Sequence, residues 1–199
     1  MLDKSIPIIS VMLEQHHPDV YPHFPIPDGY TLSTYRDGFD LAWAKLVYAT
    51  GMASSVEQAL EVFAHEFGSE PEKIRTNCLF MLDAQGIPVA TATLWHGTHM
   101  GDERPRVHWV TVDPAHQGKG LCKAVLTAVF DLFQSQGGGD YLYLTTQTWS
   151  YKAINIYQHF GFEPYLGPRP VNWKQSNYET DNAIAWRIIN EKLTAYREA

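Results

Sequence analysis

The sequence predicts a mixed α/β fold, in which helices flank a central, mostly antiparallel sheet. The β-favouring runs 78–82 and 88–95 are joined by the turn 83–86, so we expect them to form an antiparallel hairpin. The runs 106–112 and 141–146 are separated by an apolar helical pattern, so we expect them to pair in parallel through a helical crossover. Together, the two connections predict a sheet of mixed strand direction that is covered by helices.

The composition indicates one packed domain rather than a disordered chain. The 199 residues suit a single domain, and 45% of them are hydrophobic. Lys and Arg number 15 against 22 Asp and Glu, which gives a formal net charge of −7. Because a nucleic-acid backbone is neutralised by dense Lys and Arg, this acidic balance argues against a nucleic-acid partner.

Cysteine usage and hydropathy favour a cytoplasmic protein. The apolar run near the start contains Pro7 and reads as mature sequence rather than a signal peptide, and no run is long enough to cross a bilayer. Cys78 and Cys122 are the only cysteines, and their spacing fits no disulfide framework or zinc module. We therefore expect a reducing compartment, no structural metal and no membrane partner. His16, His17 and His23 lack the spacing that converges metal ligands.

Proline divides the chain into an arm and a domain. Five prolines between positions 7 and 27 forbid a regular helix, so residues 1–29 are predicted to form an extended arm packed on a single domain of residues 30–199. The first strand is expected at 30–36, and two helices follow it. The second of these helices is expected to begin at a capping box over 54–57 and to end at Gly68.

The second half of the domain is predicted to alternate strands and helices. Apolar spacing indicates helices over 118–136, 149–160 and 182–196. In the strand 106–112, side chains two residues apart should share a face. This alternation predicts one face bearing His108, Val110 and Val112 and the opposite face bearing Trp109 and Thr111.

The turn Gln117–Cys122 carries the first chemical signal. It lies between a predicted strand and the first turn of a helix, where backbone N–H groups and the helix dipole favour a phosphate. Gly118 and Gly120 allow a ligand to approach the backbone closely. The pattern is not a Walker loop, and Lys123 occupies the third glycine position of a dinucleotide-binding motif, so both of those nucleotide folds are excluded.

Two motifs in order resemble one known family. Residues 112–120 (VDPAHQGKG) are similar to motif A of the GNAT superfamily of N-acetyltransferases, which reads R/Q-x-x-G-x-G/A. Residues 153–162 (AINIYQHFGF) resemble the later A-x-x-x-Y-x-x-x-G-F segment of that family. Cys122 stands where the family usually has Gly or Ala, and Ser150 replaces a frequent Asn. The resemblance covers roughly residues 78–163.

This resemblance implies a sheet that splays where acetyl-CoA binds. The diphosphate is expected over the turn before the crossover helix, and the pantetheine arm along the preceding strand. The diphosphate and pantetheine contacts implied in this way belong to Val110, Thr111, Val112, Gln117, Gly118, Lys119, Gly120, Leu121, Cys122 and Ser150.

The resemblance also implies catalytic roles for three residues. Tyr157 matches the family tyrosine that returns a proton to the thiolate leaving group, although a half-buried core tyrosine is the alternative. His108 is the first candidate for the base, because some relatives that acetylate arylalkylamines carry His at the matching position. A packed structural histidine is the alternative for His108, and Asp102 and Glu103 are alternative bases. The Val110 N–H is expected to stabilise the oxyanion.

The sequence therefore predicts an acetyl-CoA-dependent N-acetyltransferase. Direct transfer to a primary amine, on a small molecule or a peptide, is expected in a ternary complex without metal and without a covalent cysteine intermediate. The alternative functions are a CoA-binding module without catalysis and an acyltransferase that uses another acyl group or a hydroxyl acceptor. A monomer or a homodimer is expected.

Overall fold

A computed structural model describes residues 2–198 of the chain. The strands are β1 Ser10–Gln15, β2 Thr31–Thr34, β3 Cys78–Leu82, β4 Pro88–Gly97, β5 Arg104–Val112, β6 Leu142–Gln147 and β7 Glu163–Pro164. The α-helices are α1 Phe39–Ala49, α2 Val56–Phe67, α3 Pro71–Asn77, α4 Leu121–Ser135, α5 Tyr151–His159 and α6 Tyr178–Glu198.

The seven strands form one open, mostly antiparallel sheet. Its strand order is β2-β3-β4-β5-β6-β1-β7. The β2–β3, β3–β4, β1–β6 and β1–β7 pairs are antiparallel. The β5–β6 pair is parallel, with Arg106 opposite Tyr143. This confirms the predicted mixed α/β class, the hairpin and the parallel crossover.

The described chain divides into two compact units, each with its own core. One unit contains residues 23–94 and 107–137, and its centre is an aromatic cluster in which Trp43 of α1 contacts the rings of Phe63 and Phe67 of α2. The other contains residues 2–22, 95–106 and 138–198. Its core is built from Met12, Tyr143, Tyr165, Trp173 and Tyr178.

Strand β1 lies inside the proline-rich arm and was not predicted. Val11, Met12 and Leu13 are at most 1% exposed, and Leu13 pairs with Leu144 of β6 and Pro164 of β7. The prolines of the arm lie on either side of this run rather than within it, so they leave every ladder N–H in place. The arm therefore supplies an interior strand of the sheet.

Local sequence signals predicted most helices correctly, but the N-cap of α2 lies one residue from its predicted position. Helix α2 begins after Ser55, whose Oγ accepts a hydrogen bond from the Gln58 N–H at 3.1 Å. The Gln58 Oε1 in turn accepts from the Ser54 N–H at 2.7 Å. The N-cap is therefore Ser55, one residue later than predicted, and Gln58 rather than Glu57 is the residue three positions after it, with its side chain accepting from the residue before the N-cap.

The remaining differences concern helix extents. Helix α3, with Pro71 in its first turn, was not predicted, and the first predicted strand is shortened to β2. Helix α6 begins four residues earlier than the predicted start at Asn182 and runs to Glu198. Among residues 2–198, no helix combines the length and the apolarity that a membrane span requires.

Candidate active site

Two glycines shape the turn that leads from β5 into α4. Gly118 has φ +76° and Gly120 has φ +86°, values that glycine adopts without the steric cost of a side chain. Gly120 is also the N-cap residue of α4. A Cβ at Gly118 would meet nothing within 4 Å, so the backbone faces open space at this position. The glycines predicted from the motif are therefore required by the local backbone conformation.

The first turn of α4 presents backbone donors. The Ala124 N–H donates to the Gly120 carbonyl at 3.0 Å, which is the start of the α-helical hydrogen-bond ladder. The N–H groups of Leu121, Cys122 and Lys123 precede this bond, so the helix itself offers them no carbonyl. Donors in this position, at the positive end of the helix dipole, favour a phosphate. Gln117 ties the turn to the strand, because its Nε2 donates to the Val112 carbonyl at 3.2 Å.

Residues 24–30, named here the strap, comprise the end of the arm and Tyr30 and pack along the start of α4. The Phe24 N–H donates to Thr127 Oγ1 at 3.1 Å, and the Lys123 Nζ lies 4.9 Å from the centre of the Phe24 ring. The Tyr30 hydroxyl hydrogen-bonds with His116 Nδ1 at 2.9 Å. Thus the strap holds residues on both sides of the glycine turn.

Strand β5 has an unusual backbone conformation at Trp109. This residue has φ +50°, one of two left-handed non-glycine backbones in the described chain. The Trp109 ring packs edge-on against Trp43 of α1 at 4.9 Å, and the His108 ring lies 6.0 Å from Phe67 of α2. The prediction that His108 and Trp109 point to opposite faces is wrong, because the left-handed residue breaks the two-residue pleat and both rings contact the α1–α2 aromatic cluster.

His108 forms a short hydrogen bond with Glu66 of α2. His108 Nε2 and Glu66 Oε2 are 2.7 Å apart, and the two side chains are 13% and 31% exposed. Sequence reasoning proposed His108 but missed Glu66. The two residues are 42 positions apart, and nothing in the α2 pattern distinguishes Glu66 from its other acidic residues.

The residues of β5 that are expected to contact the pantetheine arm differ in how far they are buried. Val110 and Val112 are half-buried, whereas Thr111 is buried at 4% exposure. The Thr111 Oγ1 lies 3.9 Å from the Met52 sulfur in the loop between α1 and α2. This places the α1–α2 loop beside the end of the strand that is expected to receive the pantetheine arm.

In the other unit, Tyr157 lies on the buried face of α5. Its side chain is 6% exposed, and its ring centre is 6.3 Å from that of Phe162. Ser150 is the half-buried N-cap of α5, and its side chain makes no capping hydrogen bond. The arm contacts the turn before Ser150, since the Trp149 indole N–H donates to the Ile6 carbonyl at 2.6 Å.

The alternative bases form exposed ion pairs. Glu103 accepts from His96 at 2.8 Å, with 66% of the Glu103 side chain exposed. Asp102 accepts from Arg104 at 2.8 Å, and this hydrogen bond lowers the pKa of Asp102. Both carboxylates are thus satisfied at the surface, within the loop between β4 and β5.

Both cysteine thiols are poor nucleophiles at neutral pH. Burial raises the pKa of Cys78 to about 11 and the pKa of Cys122 to about 12. Because the thiolate is the reactive form, neither thiol is activated. Among residues 2–198, no group of three or more His, Cys, Asp or Glu side chains is arranged to hold a metal ion.

Comparison with known proteins decides the family. The family model described as "Acetyltransferase (GNAT) family" matches residues 44–162, which is more than half of the chain. The chain belongs to the GNAT acetyltransferase family. The matched range runs from α1 to the turn after α5, so it includes the glycine turn, His108 and Tyr157. GNAT enzymes use acetyl-CoA as co-substrate.

Similar proteins are about twice as long. A curated relative, the mycothiol acetyltransferase of Salinispora tropica, is 30% identical over 148 residues, which are 71% of this chain and 47% of the relative. The solved structure of a GCN5-related N-acetyltransferase from Sphaerobacter thermophilus matches with a TM-score of 0.61 at 20% identity. The match covers 79% of this chain and 49% of the Sphaerobacter chain. The solved structure of a GNAT-family acetyltransferase from Colwellia psychrerythraea matches with a TM-score of 0.59 at 16% identity. The match covers 82% of this chain and 55% of the Colwellia chain. The two solved structures share the fold of this chain. The chain spans about half the length of each of the three similar proteins.

Proposed function

We propose that the protein transfers an acetyl group from acetyl-CoA directly to a primary amine. The observation that carries this proposal is the glycine turn at the start of α4, whose left-handed glycines and leading N–H groups fit a diphosphate. The protonated state of both thiols favours direct transfer over a cysteine acyl-enzyme. The family membership supports the same activity.

The residues around the turn fit the cofactor in position and chemistry. The backbone from Gln117 to Cys122 would bind the diphosphate, and the edge of β5 from Val110 to Val112 would pair with the pantetheine arm. Acetyl-CoA supplies an activated acetyl group as a thioester. The Val110 N–H donates to the oxygen of that thioester carbonyl, where negative charge develops during attack.

Two side chains handle protons in this proposal. An amine is protonated at neutral pH and must lose a proton before it can attack, and the imidazole of His108 accepts that proton. Tyr157 donates its phenolic proton to the departing sulfur. Both groups are partly or wholly shielded from solvent, which strengthens their electrostatic interactions.

Calorimetric titration with acetyl-CoA and CoA tests the binding half of the proposal. Free-thiol release in the same samples, with a panel of arylalkylamines, amino acids, polyamines, aminoglycosides and peptide N-termini, tests the transfer half. We expect binding together with thiol release that depends on one class of amine. Binding without release would favour a CoA-binding module, and the absence of binding would overturn the proposal.

A further inference from the structure

We propose that Glu66 is a positioning residue that holds His108 with its proton on Nε2 and leaves Nδ1 as the nitrogen that deprotonates the acceptor amine. This inference rests on the proposed function. It adds to that function a residue on α2, outside both sequence motifs, and specifies which imidazole nitrogen acts.

The hydrogen bond between the two side chains determines the tautomer. An ionised carboxylate can only accept hydrogen bonds, so at the 2.7 Å separation the proton must lie on His108 Nε2. A neutral imidazole with Nε2 protonated carries its basic lone pair on Nδ1. The carboxylate thereby selects one of the two nitrogens as the base.

This pair differs from three other histidine–carboxylate pairs of the described chain. The His96–Glu103 pair is 2.8 Å long with its carboxylate side chain 66% exposed, and the His23–Asp131 pair is 3.8 Å long with both side chains more than half exposed. The His16–Glu14 pair is 3.4 Å long. The His108–Glu66 pair is the shortest of the four and has the least exposed histidine. Shielding from water strengthens such a charge-assisted bond.

Packing fixes both partners. Phe67, next to Glu66, is 1% exposed and contacts Trp43, so the end of α2 cannot shift without disturbing the aromatic cluster. On the other side, the left-handed backbone of Trp109 breaks the pleat of β5 beside His108, and the His108 ring lies against Phe67. The pair is therefore held by a helix and a strand rather than by mobile loops.

The proton transfer balances without another reactant. The N–H bond of the acceptor ammonium breaks, its electron pair remains on the amine nitrogen, and an Nδ1–H bond forms on His108. The resulting imidazolium is positive, and Glu66 stays ionised and stabilises it. After transfer, the imidazolium releases the proton to water and regains the starting tautomer.

The test uses the Glu66→Gln variant and three readouts: the tautomer, the steady-state kinetic constants and the pH–kcat profile. Nitrogen NMR of the imidazole in the free protein reports the tautomer without any need for activity, and we expect the Nε2–H form in the wild type and a mixture in the variant. The kcat for the amine should fall roughly 10²-fold, with the KM for acetyl-CoA unchanged. Because a carboxylate favours the protonated imidazole, its removal should move the rising limb of the pH–kcat profile to lower pH.

The matched control is Asp131→Asn, which removes the carboxylate from the exposed pair with His23. We expect this variant to leave the His108 tautomer, kcat and the pH profile unchanged. A folded Glu66→Gln variant with the wild-type tautomer and pH profile would overturn the inference while leaving acetyl transfer intact. If the wild type has the Nε2–H tautomer but transfers acetyl to no amine, the proposed function fails and the positioning role fails with it.

Discussion

At the scale of single residues, the left-handed backbone of Trp109 changes the course of β5 beside His108. A non-glycine residue in this region costs about 1–3 kcal/mol, which surrounding packing must offset. The edge-on contact between Trp109 and Trp43, with ring centres 4.9 Å apart, is one such compensation, since aromatic pairs contribute about 0.5–1.5 kcal/mol beyond burial. The break in the pleat accompanies the meeting of His108 with Glu66 of α2.

Substitution of Tyr157 by Phe should separate catalysis from cofactor binding. Phe retains the ring that packs near Phe162 and removes only the hydroxyl, so the fold should persist. We expect kcat to fall roughly 10²-fold because the leaving sulfur loses its proton donor, while the calorimetric Kd for CoA stays the same.

Tyr151→Phe is the matched control for this prediction. Tyr151 lies on the same helix at 9% exposure, but its ring faces Tyr196 of α6. Steady-state kinetics of both variants should show a loss of turnover only for Tyr157→Phe. Wild-type kcat in Tyr157→Phe would rule out the phenol as the acid.

At the scale of elements, the strap contacts residues on both sides of the glycine turn. Its hydrogen bonds reach His116, before the glycine turn, and Thr127, two turns into α4. A Cβ at Gly120 would lie 3.7 Å from Pro27, which places the strap in van der Waals reach of the helix N-cap. The proline content of the strap lowers the conformational entropy lost in fixing it there.

Tyr30→Phe should weaken binding of CoA without affecting the acceptor. The variant loses the hydrogen bond to His116, which is worth about 0.5–1.5 kcal/mol if it is coupled fully to the phosphate-binding conformation. We therefore expect the calorimetric Kd for CoA to rise about two- to tenfold. Tyr48→Phe, at an exposed position of α1, is the control and should bind like the wild type. Equal affinities in the two variants would show that the strap does not support the turn.

The contact between Asp3 of the arm and Lys192 of α6 should make the free energy of unfolding depend on pH. The Ser5 hydroxyl and the Lys192 ammonium of α6 hold the pKa of Asp3 at about 2, below its ordinary value of 3.8. Because the folded pKa is the lower one, the stabilisation is complete above about pH 4 and is lost as the pH falls towards 2.

Urea unfolding of the wild type and Asp3→Asn across this pH range measures the effect. The wild type should be the more stable at pH 6, and the difference should shrink to nothing near pH 2. A difference that stays constant with pH would mean that the Asp3 charge is not involved.

At the scale of the whole molecule, local patterns determined which elements could be predicted. The β3–β4 hairpin, α4 and the parallel crossover follow from residues near each other in sequence, and each was predicted within a few residues. Strand β1 was missed because its partners in β6 lie more than 120 residues away. The same reason hid Glu66, whose importance arises only through its contact with His108. The glycine turn was found because its conformational demands are local.

Binding of CoA should stabilise the folded chain as a whole. A ligand that binds only the native state at about 100 times its Kd adds about 2.7 kcal/mol, which for this size corresponds to roughly 5 to 10 °C in Tm. Differential scanning calorimetry with and without CoA measures the shift. We expect Gly120→Ala to show a smaller shift, because a side chain at φ +86° strains the turn. No shift for the wild type at any concentration would contradict the cofactor assignment.

The position of β1 within the sheet has a consequence for synthesis of the protein. Residues 10–15 leave the ribosome long before β6 and β7, between which this strand lies in the finished sheet. Until residues 142–164 emerge, the apolar segment Val11–Leu13 has no native partner and is a candidate for binding by a chaperone or for aggregation. The last native pairings of β1 therefore wait for strands made much later, so this half of the sheet is expected to fold only after residues 142–164 have been made.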